Sequence, residues 1–227
     1  MPGVCAAARC VDLCDGSQNG QSLSGGTRCL LQEGWCGALA RELMAHPQIA
    51  RYLPTGHVAV QCTYFEKSAQ RNWLVPVHQD LSIAVRARSD AQQYSAWSTK
   101  EAIVFVQPPL AVLQSLVAVR LHLDACGPMD GPLHVIAGTH HRGVIGPIEA
   151  ARLRQETSAD ICTVAAGTAM VMKPLLLHAS SKAAGSSRRR VLHFVFGPPV
   201  LPFGVRWHHA VGHLSQAVTE SAMVTTA

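Results

Sequence analysis

Aromatic residues are scarce: four Trp, three Tyr and five Phe make up 5% of the 227 residues. Charge is scarce too. Asp, Glu, Lys and Arg together reach 15%, and the net charge is +5. A nucleic-acid surface needs a broad basic face with interleaved aromatics. Part of the small excess here is a single run, Arg188-Arg189-Arg190, so nucleic acid is not an expected partner. No apolar run approaches the ~18 residues of a membrane span, and no membrane partner is expected. Met1 to Ala8 lacks the basic start and long apolar centre of a secretory leader. The eight cysteines contain no CxxC pair, so a structural zinc site lacks its usual spacing. Free thiols in a reducing compartment follow. The expectation is a soluble cytoplasmic protein, a monomer or weak homodimer.

What is abundant is apolar side chain, at 48% of the sequence, enough to bury a real core. Residues 1–27 are rich in Gly, Ser, Cys and Ala without periodicity and read as a disordered segment. Residues 28–227 then read as one domain. From Trp35, the four-residue spacing to Leu39 and Leu43 predicts a helix that Pro47 ends. The pattern changes to period two at "HVAVQCTYF" (His57 to Phe65) and again at "WLVPVHQDLSIAV", each predicting a strand. Residues 86–108 are polar and aromatic without a clear period and predict a functional loop or lid. "LVAVRLHLDA" (Leu116 to Ala125) alternates, with Arg120, His122 and Asp124 on one side. "PLHVIAG", "CTVAAG", "TAMVMKPLLLHAS" and "RRVLHFVFGP" supply further strands, and "PIEAARLRQE" a short helix with Pro near its start. Many short strands with frequent turns imply a mainly β sandwich or barrel.

One strand carries a problem. In "NWLVPVHQDLSIAV" an acid, Asp80, sits among strand formers. An unpaired carboxylate there would cost several kcal/mol. With period two, His78 and Asp80 point to the same side and could take adjacent positions on one metal ion. A third ligand is offered by His178 in "KPLLLHASS". Two His and one carboxylate leave three neighbouring sites open, the facial triad of non-haem Fe(II) oxygenases. A lone HxD also arises by chance, and a His on an apolar strand is commonly a core residue. Arg189 adds weight. An oxygenase of this type must hold a dicarboxylic co-substrate, and an Arg supplies a bidentate clamp. Ser180, beside His178, can add a hydrogen bond. Arg188 and Arg190 read as solvent-facing charge, although alternation alone does not choose among the three.

Four pieces, "NWLVPVHQDLSIAV", "VRLHLDACGPMDGPLHVIAGTHHRG", "CTVAAGTAMVMKPLLLHASS" and "RRRVLHFVFGP", occur in an order that resembles the phytanoyl-CoA dioxygenase family. They span most of Asn72 to Pro198. The resemblance implies a double-stranded β-helix, or jelly roll, with flanking helices. It implies Fe(II) on His78, Asp80 and His178, with 2-oxoglutarate held by Arg189 and Ser180 and lying near Arg120. O2 is the second co-substrate. Hydroxylation of a small molecule with release of succinate and CO2 is the implied reaction. Ala137 stands where the family often has Pro.

Further candidates for substrate contact are Trp73, Trp97, Gln107 and His122. Gln79, between two ligands, reads as a hydrogen-bonder that supports them, and His140, His141, His208 and His209 read as surface residues. Two rivals remain open: a metal-binding jelly roll without oxygenase activity, and a zinc hydrolase using the same three ligands.

Overall fold

The computed structural model describes residues 27–185 and 188–213. The predicted disordered segment, residues 1–27, lies outside the described residues except for Thr27. That residue exchanges backbone hydrogen bonds with Tyr64 (3.0 and 2.8 Å).

Among the described residues, eleven strands follow one another as β1 (Val58–Lys67), β2 (Val75–His78), β3 (Ile83–Val85), β4 (Ser95–Lys100), β5 (Ile103–Gln107), β6 (Val117–His122), β7 (Leu133–Val135), β8 (Asp160–Cys162), β9 (Ala169–Met172), β10 (His178–Ser180) and β11 (Arg189–Gly197). They form a large antiparallel sheet in the order β1-β11-β6-β9 and a second in the order β2-β10-β7-β8. These are the two walls of a double-stranded β-helix. A third sheet, β3-β5-β4, extends the structure.

Alternation explains the large sheet. Along β11, Leu192, Phe194 and Phe196 face outward and join Cys62 and Tyr64 of β1 and Val119 and Leu121 of β6. Helix α1 (Gly34–Ala45) lays Cys36, Leu39, Ala40 and Leu43 on that face. All of these are 3% exposed or less, so the helix predicted from the Trp35-Leu39-Leu43 spacing packs as the spacing requires. The opposite face of the same strands carries Thr63, Phe65 and Lys67 of β1, Arg120 of β6, and Arg189 and His193 of β11. This is the face turned toward the second sheet. Helix α2 (Pro47–Ala50) continues from α1, α3 (Leu110–Ser115) follows β5, and α4 (Pro147–Glu156) begins at its Pro.

Three predicted elements differ. "WLVPVHQDLSIAV" is not one strand: β2 ends at His78, and Gln79 to Ser82 cross to a different sheet, where β3 begins. The cause is a set of distant partners. Asp80 N–H donates to Pro174 O (2.9 Å). The Gln79 amide donates to Gly143 O (2.8 Å) and Leu175 O (2.6 Å) and accepts from Ile145 N–H (2.8 Å). Residues 86–108 are not an irregular loop. They contain the β4–β5 hairpin, whose period is hidden by a register shift between Ser95 and Ser98 and by left-handed backbone at Ala96, Glu101 and Ala102. "TAMVMKPLLLHAS" splits into β9 and β10, with Lys173–Leu177 between them.

Candidate active site

His78 ends β2, and His178 opens β10, where the two residues pair directly across the strands. Their rings lie 4.2 Å apart, centroid to centroid. Asp80, just past the strand end, turns back between them. Its Oδ1 is 3.5 Å from His78 Nε2 and its Oδ2 is 3.7 Å from His178 Nε2. The juxtaposition inferred from strand period is therefore present, although the strand stops short of Asp80. The donor atoms of His78, Asp80 and His178 all lie within 4.8 Å of one another.

Both imidazoles are already set for a metal. His78 Nδ1 donates to Pro76 O and His178 Nδ1 to Leu176 O, each at 2.8 Å. A carbonyl only accepts, so Nδ1 carries a proton in each ring, and the neutral imidazole has its lone pair on Nε2. At His78 burial is outweighed by the Asp80 carboxylate, which raises its pKa. This backbone anchoring is the usual support of a metal-bound His. Burial alone would raise the Asp80 carboxyl, but the imidazoles of His178 and His78 outweigh it and hold it well below the usual carboxylate range. Burial lowers the pKa of His178. At neutral pH the donor set is thus a carboxylate and an imidazole that stays uncharged. Among the described residues this is the group able to hold a metal ion, and its two nitrogens and one oxygen suit Fe(II).

The facing sheet supplies the opposite chemistry. Lys67, Arg120 and Arg189 are 0%, 6% and 3% exposed. None of the three is ion-paired to a carboxylate in the described structure. Burial, and then the Arg189 charge, push the Lys67 ammonium down to about 8. Arg189 donates to Gly131 O (2.6 Å), and the Ser180 hydroxyl donates to the same oxygen (2.8 Å). Lys67 Nζ donates to Ser180 Oγ (2.6 Å) and to Ser181 O. The Nε groups of Arg120 and Arg189 are buried with no partner at all. Three buried cations and two orphaned donors call for an anion with more than one carboxylate. A dicarboxylic co-substrate fits that need.

Strand alternation separates Arg189 from its neighbours. Arg188 and Arg190 emerge on the other side of the sheet: Arg188 is solvent-facing, as expected, and Arg190 is half-buried. Arg188 pairs with Glu66 (3.0 Å) and Arg190 with Asp124 (2.7 Å).

A cavity of about 340 Å³ joins the two halves. Its lining includes the triad, Arg120, Arg189, Ser180 and Trp73 from the predicted set. Val60, Ile83, Phe105, Leu116 and Val195 give it an apolar wall, and Arg28, Gln61, Thr63 and Lys100 line it with polar groups. Trp97 and Gln107 are not in it. Trp97 packs near Tyr94 in the second core cluster, and Gln107 pairs with Ser95 in the hairpin. His122 is buried on β6 but is not part of the lining. Gln79 supports the ligand turn through its three backbone contacts. His140 and His141 fall in a short 3₁₀ turn, half-buried and exposed, while His208 is hydrogen-bonded to Gln32.

Two site residues escape the sequence reading. Lys67 closes β1, two positions beyond the predicted strand end. His193 lies on the cavity lining, with Nε2 3.6 Å from Asp80 Oδ2 and Nδ1 3.1 Å from an Arg120 NH1 donor. Burial and the Arg120 charge push its pKa down to about 3. Period two counted from Arg189 along "RRVLHFVFGP" puts His193 on the same face, which was the available signal.

A model of the phytanoyl-CoA dioxygenase family matches residues 31–191. No curated protein sequence matches the chain. Solved structures do. HygX from Streptomyces hygroscopicus, solved with nickel and 2-oxoglutarate bound, is 13% identical with a TM-score of 0.57, covering 87% of this chain and 79% of its own. EctD from S. alaskensis, in its apoform, is 16% identical with a TM-score of 0.61, covering 87% and 69%. EvdMO1 is 17% identical with a TM-score of 0.60, and this chain spans only 45% of its length. At these identities the likeness is one of fold.

Proposed function

Because the chain belongs to the phytanoyl-CoA dioxygenase family, we propose that it is an oxygenase that uses Fe(II), 2-oxoglutarate and O2 to hydroxylate a small molecule, with residues 28–227 as its domain. One observation carries this reading: a two-His, one-carboxylate donor set faces three buried cations that have no carboxylate of their own.

His78, Asp80 and His178 would hold the iron on one side and leave the other side open for co-substrate and oxygen. A metal ion held there would supply the chemistry that couples decarboxylation of 2-oxoglutarate, to succinate and CO2, to oxidation of a substrate C–H bond. Arg189 offers the far carboxylate a guanidinium fork. Lys67 adds a second charge and, through Ser180, fixes where that carboxylate sits. Arg120 balances charge nearer the metal ligands. The apolar wall from Val60 to Val195 keeps water from the reacting centre, and Arg28, Gln61, Thr63 and Lys100 are the polar groups available to a substrate. HygX, the neighbour solved with 2-oxoglutarate, supports the co-substrate assignment by fold alone.

A zinc hydrolase would use the same three ligands but has no use for Lys67, Arg120 and Arg189. A metal-binding module that reads a small anion without oxidising it would release no succinate. The test is succinate release from 2-oxoglutarate by the protein with Fe(II), ascorbate and air, without added substrate. Slow, iron-dependent release is expected. Ester hydrolysis with Zn(II) and no succinate would overturn the reading.

A further inference from the structure

His193 holds neither the iron nor the co-substrate in the reading above, yet it touches both sets of residues. It is 4% exposed. The Phe65 ring meets it edge-on, 6.1 Å between centroids and 69° between planes, and so limits its rotation. One ring nitrogen, Nδ1, lies 3.1 Å from an Arg120 guanidinium nitrogen. A guanidinium offers only N–H donors. Nδ1 must therefore accept, and the single ring proton is left on Nε2. That atom faces Asp80 Oδ2 at 3.6 Å.

The geometry points to His193 as a positioning residue for the metal-binding carboxylate, its Nε2–H holding Asp80 Oδ2 so that Oδ1, the oxygen on the His78 side, is the one presented to the metal. This rests on the iron reading above. Arg120 takes part indirectly: as an obligate donor it fixes which nitrogen of His193 is protonated. A fourth-ligand role for His193 is disfavoured by the same logic, because a ligand nitrogen needs its lone pair and this one carries the proton. Consistently, the donor atoms that cluster within 4.8 Å of one another belong to His78, Asp80 and His178. The 3.6 Å separation is longer than a hydrogen bond. A carboxylate movement of about half an ångström would bring it into range, and ligation of Oδ1 supplies a reason to move.

The probe is Co(II), titrated into metal-free wild type, His193→Leu and His193→Gln. Glutamine can accept from Arg120 with its carbonyl and donate to Asp80 with its amide, as the two ring nitrogens do. Loss of a hydrogen bond to a metal ligand weakens metal binding by roughly 10–100-fold. That weakening is expected for His193→Leu, with most of it recovered in His193→Gln. Circular dichroism establishes that each variant is folded. If the leucine variant is not, His193→Asn replaces it: its amide can face Arg120 but is too short to reach Asp80, and the same weakening is expected. Wild-type affinity in the variant lacking the donor overturns the proposal. Binding in His193→Gln as weak as in His193→Leu also overturns it, since the ring itself would then be needed as a ligand. Wild type that fails to bind Co(II) overturns the iron reading and this proposal together, an outcome distinct from the first two.

Discussion

Arg189 and Arg190 are adjacent in sequence and opposite in consequence. Arg189 faces the cavity, and its Nε has no partner. Arg190 gives Asp124 two side-chain hydrogen bonds, at 2.8 and 2.7 Å, on the other side of the sheet. In Arg189→Ala a far carboxylate loses one member of a buried charge pair, a cost of roughly 2–5 kcal/mol. The 2-oxoglutarate concentration for half-maximal succinate release should then rise by about thirty-fold or more. Arg189→Lys should recover only part, because an ammonium cannot form two parallel hydrogen bonds. Arg190→Ala should leave that concentration unchanged and lower stability in urea by about 1–2 kcal/mol. An Arg190→Ala enzyme with weakened co-substrate dependence, beside a normal Arg189→Ala, would reverse the assignment. The proposed metal ligands and clamp could be singled out in the sequence because few side chains perform those tasks and their order along the chain is restrictive. Lys67 and His193 were not. A Lys at a strand end and a His between Leu and Phe have ordinary structural explanations, and only the pairing of β1, β11 and β6 puts them beside the ligands.

At the scale of elements, the turn before β7 shapes the side of the cavity proposed for the co-substrate. Gly131 has φ +63°, and its carbonyl accepts from both Arg189 and Ser180. A Cβ on this residue would lie 2.6 Å from Ser181 O and 3.0 Å from Lys67 Nζ. The backbone conformation is strained for a residue with a side chain, and the space does not admit one. Gly131→Ala should cost about 1–3 kcal/mol in stability and weaken 2-oxoglutarate binding at the same time, since the shared acceptor must shift. Thermal unfolding and the co-substrate titration read the two effects. A variant that loses stability but keeps full affinity would show that Arg189 does not depend on this turn. "MDGPL" announces a turn by composition, but its acceptor role depends on contacts with β10 and β11, about fifty residues on. The break between β2 and β3 was hidden for the same reason. Gln79 looks like any polar residue in a strand until Gly143, Ile145 and Leu175 are found around it. The β4–β5 hairpin was missed because its register shift removes the alternation that identifies a strand.

For the whole molecule, buried imidazoles set a pH dependence. Burial lowers the pKa of His57, His178 and, to about 3, of His122 and His193. The unfolded chain takes up protons near 6.5, where the folded chain does not. Stability is therefore fully present above that pH and falls as pH drops below it, by up to about 1.4 kcal/mol per pH unit for each such histidine. Loss continues until the folded sites protonate, near pH 3 for the two most depressed. Urea midpoints of metal-free protein should decline steadily from pH 7 to pH 4.5. His122→Leu should flatten that decline, because its Nδ1 is buried without a partner. A midpoint that rises on acidification would contradict the account. The two walls of the β-helix also divide the labour by charge. His78 and His178 belong to the β2-β10-β7-β8 wall, while Lys67, Arg120 and Arg189 belong to the β1-β11-β6-β9 wall. Metal and dianion together would then act as a clasp between them. With both absent, three like charges press on one another across a short stretch of sheet. With both present, prying the walls apart means dissociating the ligand first, so stability gains a term that grows with the logarithm of its concentration. The folded lifetime of the protein in a cell would thus track its supply of co-substrate.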